Sequence, residues 1–259
     1  MKVIEVTHPI QKDQLINENV AMAFGFFDGM HRGHDKVFQA LNQKAEENNL
    51  KKAVMTFDPH PSVVLNPERK RTTYLTPLSD KLEMIEQHDV DYCIVINFSS
   101  RFASVTSEEF IQEYVINNNV KEVIAGFDFT FGKFGKGNMT VLQESNDFKT
   151  TIVGKQELDS EKISTTAIRE ALTEGNLRKA NEELGYLYRI KGTVVQGEKR
   201  GRTMDSQRQT FNQATIMSYL KKVSMQLVWK LVQKVKYIEV SPMWASSQLS
   251  MIQLKLKLL

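Results

Sequence analysis

Up to about residue 155, short apolar runs rich in β-branched side chains alternate with stretches in which apolar positions recur every three or four residues. The short runs are uniformly apolar and fenced by turn residues, so they predict strands buried on both faces at 20–26, 52–57, 92–97, 122–127 and 150–153. The longer stretches predict helices at 33–48, 79–88 and 107–117. The last of these opens on Thr106, Ser107, Glu108 and Glu109, whose hydroxyls and acids suit a helix N-terminus. Further helices are expected after Ser164 and after Gly175. Strand and helix in alternation define an α/β class built on a mostly parallel sheet.

The texture changes over 191–202, a strand-like piece with closely spaced glycines where a second domain is expected to begin. Beyond it the turn residues stop. All 13 glycines lie at or before Gly201, and Pro242 is the only proline of the last 58 residues, whereas a β domain needs turn residues throughout.

Composition narrows the function classes. At 259 residues, 41% hydrophobic and 25% charged, the chain has the make-up of a soluble protein that can bury a sizeable core. The single cysteine, Cys93, lies in an apolar run, which excludes a disulfide framework or a Cys-based zinc site within one chain and fits a reducing cytosol. No apolar stretch of signal-peptide or membrane-span length precedes residue 200, so a cytoplasmic protein without a membrane partner is expected. The net charge of +3 is uneven: residues 203–259 carry eight Lys or Arg against two acids, leaving the rest of the chain net acidic. A basic face for nucleic acid is therefore not expected.

The run Gly25, Phe26, Phe27, Asp28, Gly29, Met30, His31, Arg32, Gly33, His34 falls at the end of a predicted strand and the start of its helix. Glycines there let backbone amides approach phosphate oxygens, the helix N-terminus adds partial positive charge, and two imidazoles three residues apart share a helix face. The run predicts a phosphate site. Thr56, Phe57, Asp58, Pro59, His60, Pro61 follows another strand; alone it reads equally as a Pro-stiffened turn. The alternation Phe127, Phe129, Phe131 alone favours one buried face of a strand end, but Gly126, Gly132, Gly135 and Gly137 with Lys133 and Lys136 make its surroundings a basic, aromatic-rimmed loop suited to a planar ring and a phosphate. Ser164, Thr165 and Arg169 open a helix with hydroxyls at its N-terminus and a guanidinium one turn on, an anion site that alone would be a plain N-cap. Glu68, Arg69, Lys70 and Arg71 read as a solvated loop.

Taken in order, these runs resemble the motifs of the H-x-G-H nucleotidyltransferase superfamily in the form found in prokaryotic bifunctional riboflavin kinase/FAD synthetases. Gly126 to Gly132 matches the third block, Ile163 to Arg169 the fourth, and the Tyr74, Leu75, Thr76, Pro77 stretch with Lys81 and Glu83 a further block of structural character. The likeness runs from residue 1 to about 203. It implies a Rossmann-like nucleotidyltransferase domain over 1–185, and transfer of AMP from ATP, as its Mg2+ complex, to FMN, giving FAD and pyrophosphate. It further implies phosphate stabilisation by His31, His34 and Arg169, with nucleotide contacts at Gly25, Phe26 and Gly29. Ser164 and Thr165 would join Arg169 on the triphosphate, and the flavin would meet Phe57, Phe127, Asp128, Phe129 and Phe131. Thr165 stands where the family often has serine, and the Asp128 position is taken by Asn or Asp.

The resemblance also implies that Gly201, Arg202, Thr203 should continue into the Mg-ATP loop of a riboflavin kinase β-barrel, Ile, Gly, Phe, Pro, Thr, Ala, Asn. The chain has Met204, Asp205, Ser206, Gln207, Arg208, Gln209, Thr210 instead. Joining the third base of each codon to the first two of the next, with degenerate bases free, restores Gly, Phe, Pro, Thr, Ala, Asn, Ile, Gln, Pro just after the shift. One base lost in the codon of Met204 accounts for this. Residues 186–203 are thus expected to be the vestigial start of the β-barrel, 204–259 an out-of-frame tail, and riboflavin phosphorylation lost. Three alternatives stay open: another H-x-G-H transferase, which leaves the Phe-rich block unexplained; a fully bifunctional enzyme; and a non-enzymatic flavin or nucleotide sensor.

Overall fold

The computed structural model describes residues 1–66, 74–158, 161–195, 210–212, 238–239 and 251–256, with only the backbone described from Ile190 onward. The charged loop at 68–71 and most of 204–259 lie outside the described residues. Packing divides the chain into two compact units, Met1–Thr165 and Thr166–Leu259, a division ahead of the boundary at 185 read from the sequence.

In the first unit the order is β1 (Lys2–Thr7), β2 (Val20–Phe24), α1 (Arg32–Asn48), β3 (Lys51–Asp58), α2 (Pro61–Leu65), α3 (Leu78–Glu86), β4 (Tyr92–Asn97), α4 (Ser107–Phe110) running into a π-helical stretch (Ile111–Ile116), β5 (Val120–Gly126), β6 (Thr130–Phe131), β7 (Gly137–Asn138), α5 (Met139–Gln143), β8 (Lys149–Val153), β9 (Glu157–Leu158) and β10 (Glu161–Lys162). The helix after Ser164, α6 (Thr165–Thr173), begins at the division and is followed by α7 (Leu177–Leu184) and β11 (Ile190–Val195) in the second unit. There β12 (Thr210–Asn212), β13 (Ile238–Glu239) and β14 (Met251–Leu256) join β11 in an antiparallel sheet of order β12-β11-β14-β13.

Six strands of the first unit form one parallel sheet, ordered β1-β4-β3-β2-β5-β8. The residues of β2 are buried throughout, as a strand covered on both faces requires. Val20, Met22 and Phe24 point to one side, into a core with Met55, Ile94, Ile96, Phe110 and Tyr114. Ala21 and Ala23 point to the other, where their small side chains admit α1 through Val37, Phe38 and Leu41. The expected capping of α4 is present: Glu109 N–H donates to Thr106 Oγ1 at 3.1 Å and Thr106 N–H to Glu109 Oε2 at 2.8 Å. Among the described residues no helix is long and apolar enough to cross a membrane.

The direction of winding reverses between β2 and β5. From β2 the chain steps outward through β3 and β4, whereas β5 leads the other way to β8. In open parallel sheets the crevice beyond the carboxyl ends of such a strand pair is where ligands bind. The loops leaving β2 and β5 are the ones that carry the first and third sequence motifs.

Candidate active site

Strand β2 stops at Phe24, two residues short of the expected end, because the loop turns sharply: Phe27, Gly29 and Met30 all have positive φ, at 56°, 80° and 39°. Phe27 folds its ring back into the core under this turn, and a Cβ on Gly25 would lie 2.8 Å from it. Asp28, itself buried, accepts from Leu75 N–H at 2.8 Å and Thr76 N–H at 3.0 Å, while Gly29 N–H donates to Thr76 Oγ1 at 3.0 Å. The Tyr74 to Pro77 stretch is thereby fastened to the backbone of the Gly25 to His34 run.

His31 is the N-cap of α1, its Nδ1 accepting from His34 N–H at 3.2 Å. With Nδ1 occupied as an acceptor, a neutral His31 carries its proton on Nε2, which remains a donor. The two rings stack, centroids 3.6 Å apart and 13° from parallel, and the edge of Phe27 closes on His34 at 5.3 Å. A side chain at position 33 would come within 3.0 Å of the His31 ring, so the glycine between the histidines is what lets that ring lie over the first turn of α1. Burial holds His31 down to about 4 and His34 well below the usual imidazole value, with His31 and Lys81 adding to the effect on His34. Both rings are therefore neutral at pH 7. His34 Nδ1 is buried, with no hydrogen-bond partner among the described residues.

The charged groups whose fields reach His31 are Asp128, from the loop after β5, and Lys162 at the end of β10. Lys162 Nζ donates to Asp128 Oδ2 at 2.9 Å and lies 4.8 Å from the centroid of Phe127. The aromatics expected from the sequence to meet a flavin divide by environment. Phe127 is 45% exposed, and Phe129 is partly buried and stacked on Phe131 at 5.9 Å. Phe131 and Phe57 are core residues, the former against Phe110 and the latter against Phe98 and Phe102. Phe26 is partly buried, with His60 edge-on to it at 4.4 Å and Tyr74 at 5.7 Å.

The structure thus gathers Gly25, Phe26, Gly29, His31, His34, Phe127, Asp128 and Phe129 at the carboxyl ends of β2 and β5. Ser164 and Thr165 lie at the start of α6, and Arg169 lies within that helix in the second unit. The residue that sequence reasoning named only in a block of structural character, with no place in the site, is Lys81, only 3% exposed on α3. Its signal was present: Leu78, Lys81, Leu82 and Ile85 follow helical spacing, so a lysine sits on the apolar face. An open polar cleft of about 470 Å³ lined by Lys44, Glu122, Lys149 and Thr151 lies at the amino ends of β5 and β8, away from all these loops.

Comparison with known proteins places the sequence in a family. Residues 13–167 match the family model of FAD synthetase. Proteins named bifunctional riboflavin kinase/FMN adenylyltransferase are similar in sequence: that of Listeria monocytogenes is 48% identical over 206 residues, covering 79% of this chain and 66% of its own, and that of Bacillus subtilis is 46% identical over 209 residues, covering 79% and 65%. The chain therefore spans about two thirds of the length of these relatives. A crystal structure described as a macrolide-efflux protein from Streptococcus pneumoniae superposes with a TM-score of 0.69 at 31% identity, over 76% of this chain and 75% of that one. With its family match covering more than half of its length, the chain belongs to the FAD synthetase family.

Proposed function

We propose that the chain is an FMN adenylyltransferase. An oxygen of the FMN phosphate attacks the α-phosphorus of ATP, the bond to the bridging oxygen breaks, and pyrophosphate leaves as FAD forms. The observation that carries this reading is the stacked pair His31 and His34, neutral and seated on the N-terminus of α1 at the reversal point of the sheet. Such a transfer depends on positioning and on stabilising charge that moves onto the leaving oxygens. A His31 Nε2–H meets this need as a neutral donor, and the aligned peptide dipoles of α1 add to it. An arriving polyanion favours the protonated imidazole, so the rings gain donor strength only when phosphate is present.

Magnesium is assigned to the triphosphate as its counter-ion. Ser164, Thr165 and Arg169 are assigned to the β and γ phosphates on the strength of their motif. Phe127, Asp128 and Phe129 are the flavin-side residues with exposed or partly exposed positions; Phe57 and Phe131, as core residues, would act by supporting them.

Residues 204–259 are proposed to be out-of-frame and the chain to lack riboflavin kinase activity. This is supported by the altered sequence after Thr203 and by similarity to the Listeria protein that spans 206 residues. The decisive experiment supplies ATP with FMN, and separately with riboflavin, and follows pyrophosphate, FAD and FMN. Pyrophosphate and FAD in equal amounts with FMN support the reading. Binding of FMN and ATP without pyrophosphate release would make the protein a sensor instead.

A further inference from the structure

The Lys81 ammonium is buried, and every group it is hydrogen-bonded to belongs to the end of β3 or to the loop that follows β2. Nζ donates to Phe26 O at 3.0 Å, to Phe57 O at 3.2 Å and to Thr56 Oγ1 at 3.0 Å, and it lies 4.2 Å from the centre of the Phe26 ring. Thr56 Oγ1 in turn donates to Phe26 O at 3.0 Å. One cation thus ties the carboxyl ends of β2 and β3 together, at the points where the Gly25 to His34 run and the Thr56 to Pro61 run leave the sheet. Two buried carbonyls, one just past β2 and one in β3, that would otherwise repel are held by a shared donor.

A lysine costs far more to bury than an apolar side chain of equal length, and α3 has an apolar face on either side of this position. Packing alone does not call for it. Burial lowers Lys81 to about 8, with Asp28 and Asp58 opposing that shift, so at neutral pH it is the charged form that spans the carbonyls. Its field also reaches His34.

We infer that Lys81 is a positioning residue for adenylyl transfer, acting through the carbonyls of Phe26 and Phe57 and the hydroxyl of Thr56 to set the loop that presents His31 and His34. The inference rests on the proposed reaction for its kinetic consequence, but its geometric half is independent of any substrate. Removing the tether would let the Phe26 to Met30 turn relax, so that nucleotide still binds while the imidazoles no longer meet the transferred phosphate in register.

The test uses the full chain and the variants Lys81→Met, Lys81→Arg and Thr56→Val. Wild type is assayed first with ATP and FMN; failure there would sink the proposed function and leave the Lys81 inference to its spectroscopic arm. In that arm, the ring 15N and 1H resonances of His31 and His34 in the ligand-free protein should shift in folded Lys81→Met, and unchanged resonances would overturn the inference. In the kinetic arm, kcat for FAD formation should fall about tenfold or more in Lys81→Met while KM for ATP and FMN stays within about threefold, with Lys81→Arg restoring much of the loss. Turnover within about twofold of wild type in folded Lys81→Met, or a loss that only follows the folded fraction, would count against it. If Lys81→Met does not fold, Thr56→Val decides both arms: it removes the hydroxyl that bridges Lys81 Nζ and Phe26 O, and unchanged kcat and unchanged ring resonances would overturn the inference.

Discussion

At the scale of single residues, the site is defined by two imidazoles kept uncharged. His31 gives up its hydration to cap α1, and His34 is pressed between His31 and the edge of Phe27. The unfolded chain takes up protons on these rings near pH 6.5, the folded chain on His31 only near 4. Between those values the unfolded state binds more protons, so stability rises with pH from about 4 to 6.5 and is level above. The His31 part of that rise is on the order of 3 kcal/mol, with His34 acting in the same direction. Urea melts at pH 5.0 and 7.0 should show it, and His31→Gln should lose much of the difference. For catalysis, His31→Ala should lower FAD formation by about a hundredfold or more with the fold retained, as loss of a charge-stabilising donor does in comparable sites. Near-normal turnover in that variant would remove His31 from the mechanism.

Helices and strands carry these residues with different degrees of legibility. The strands at the sheet centre could be read because burial on both faces leaves an unbroken apolar run, and 92–97 coincides with β4. Strand β1 escaped notice because it is an edge strand with only Ile4 and Val6 buried between polar neighbours, too short an alternation to stand out. The change from α to π geometry at Ile111 leaves no trace in the apolar spacing, which serves both forms. In the Phe127, Phe129, Phe131 alternation, sequence could name the three rings but not distribute them, since the chain leaves β5 through a turn that exposes the first and buries the last. The element most open to test is the first turn of α1. Gly33→Ala gains up to about 1 kcal/mol of helix propensity but crowds the His31 ring. Thermal stability should therefore hold while adenylyl transfer falls roughly tenfold, as read from melting curves and pyrophosphate release on the same samples.

Over the whole molecule, everything assigned to the first unit hangs from one end of one parallel sheet, and the motif order in sequence is the order in which the chain visits that end. This is why so much of the candidate site was readable before its geometry was known: in a wound parallel sheet each strand delivers its following loop to the same rim. Lys81 was legible only as a member of a block of structural character, because the role inferred for it is played from a helix through main-chain atoms and not through a loop that faces the crevice. The chain spans about two thirds of its bifunctional relatives, and riboflavin with Mg-ATP is expected to give no FMN above background, whereas FMN with Mg-ATP is expected to give FAD. Chromatographic separation of the three flavins after incubation checks both at once, and FMN accumulation from riboflavin would show a working kinase.

In the role proposed for it, the imidazole pair on either side of Gly33 also governs what the protein ignores. Rings that bear no charge until a multiply ionised guest sits against them hold out little Coulombic reward to chloride or to stray inorganic anions, and their share of nucleotide capture is hardly weakened as background electrolyte rises. In the proposed reaction, recognition at this end of the sheet is thereby keyed to a ligand that can itself raise the proton affinity of its host.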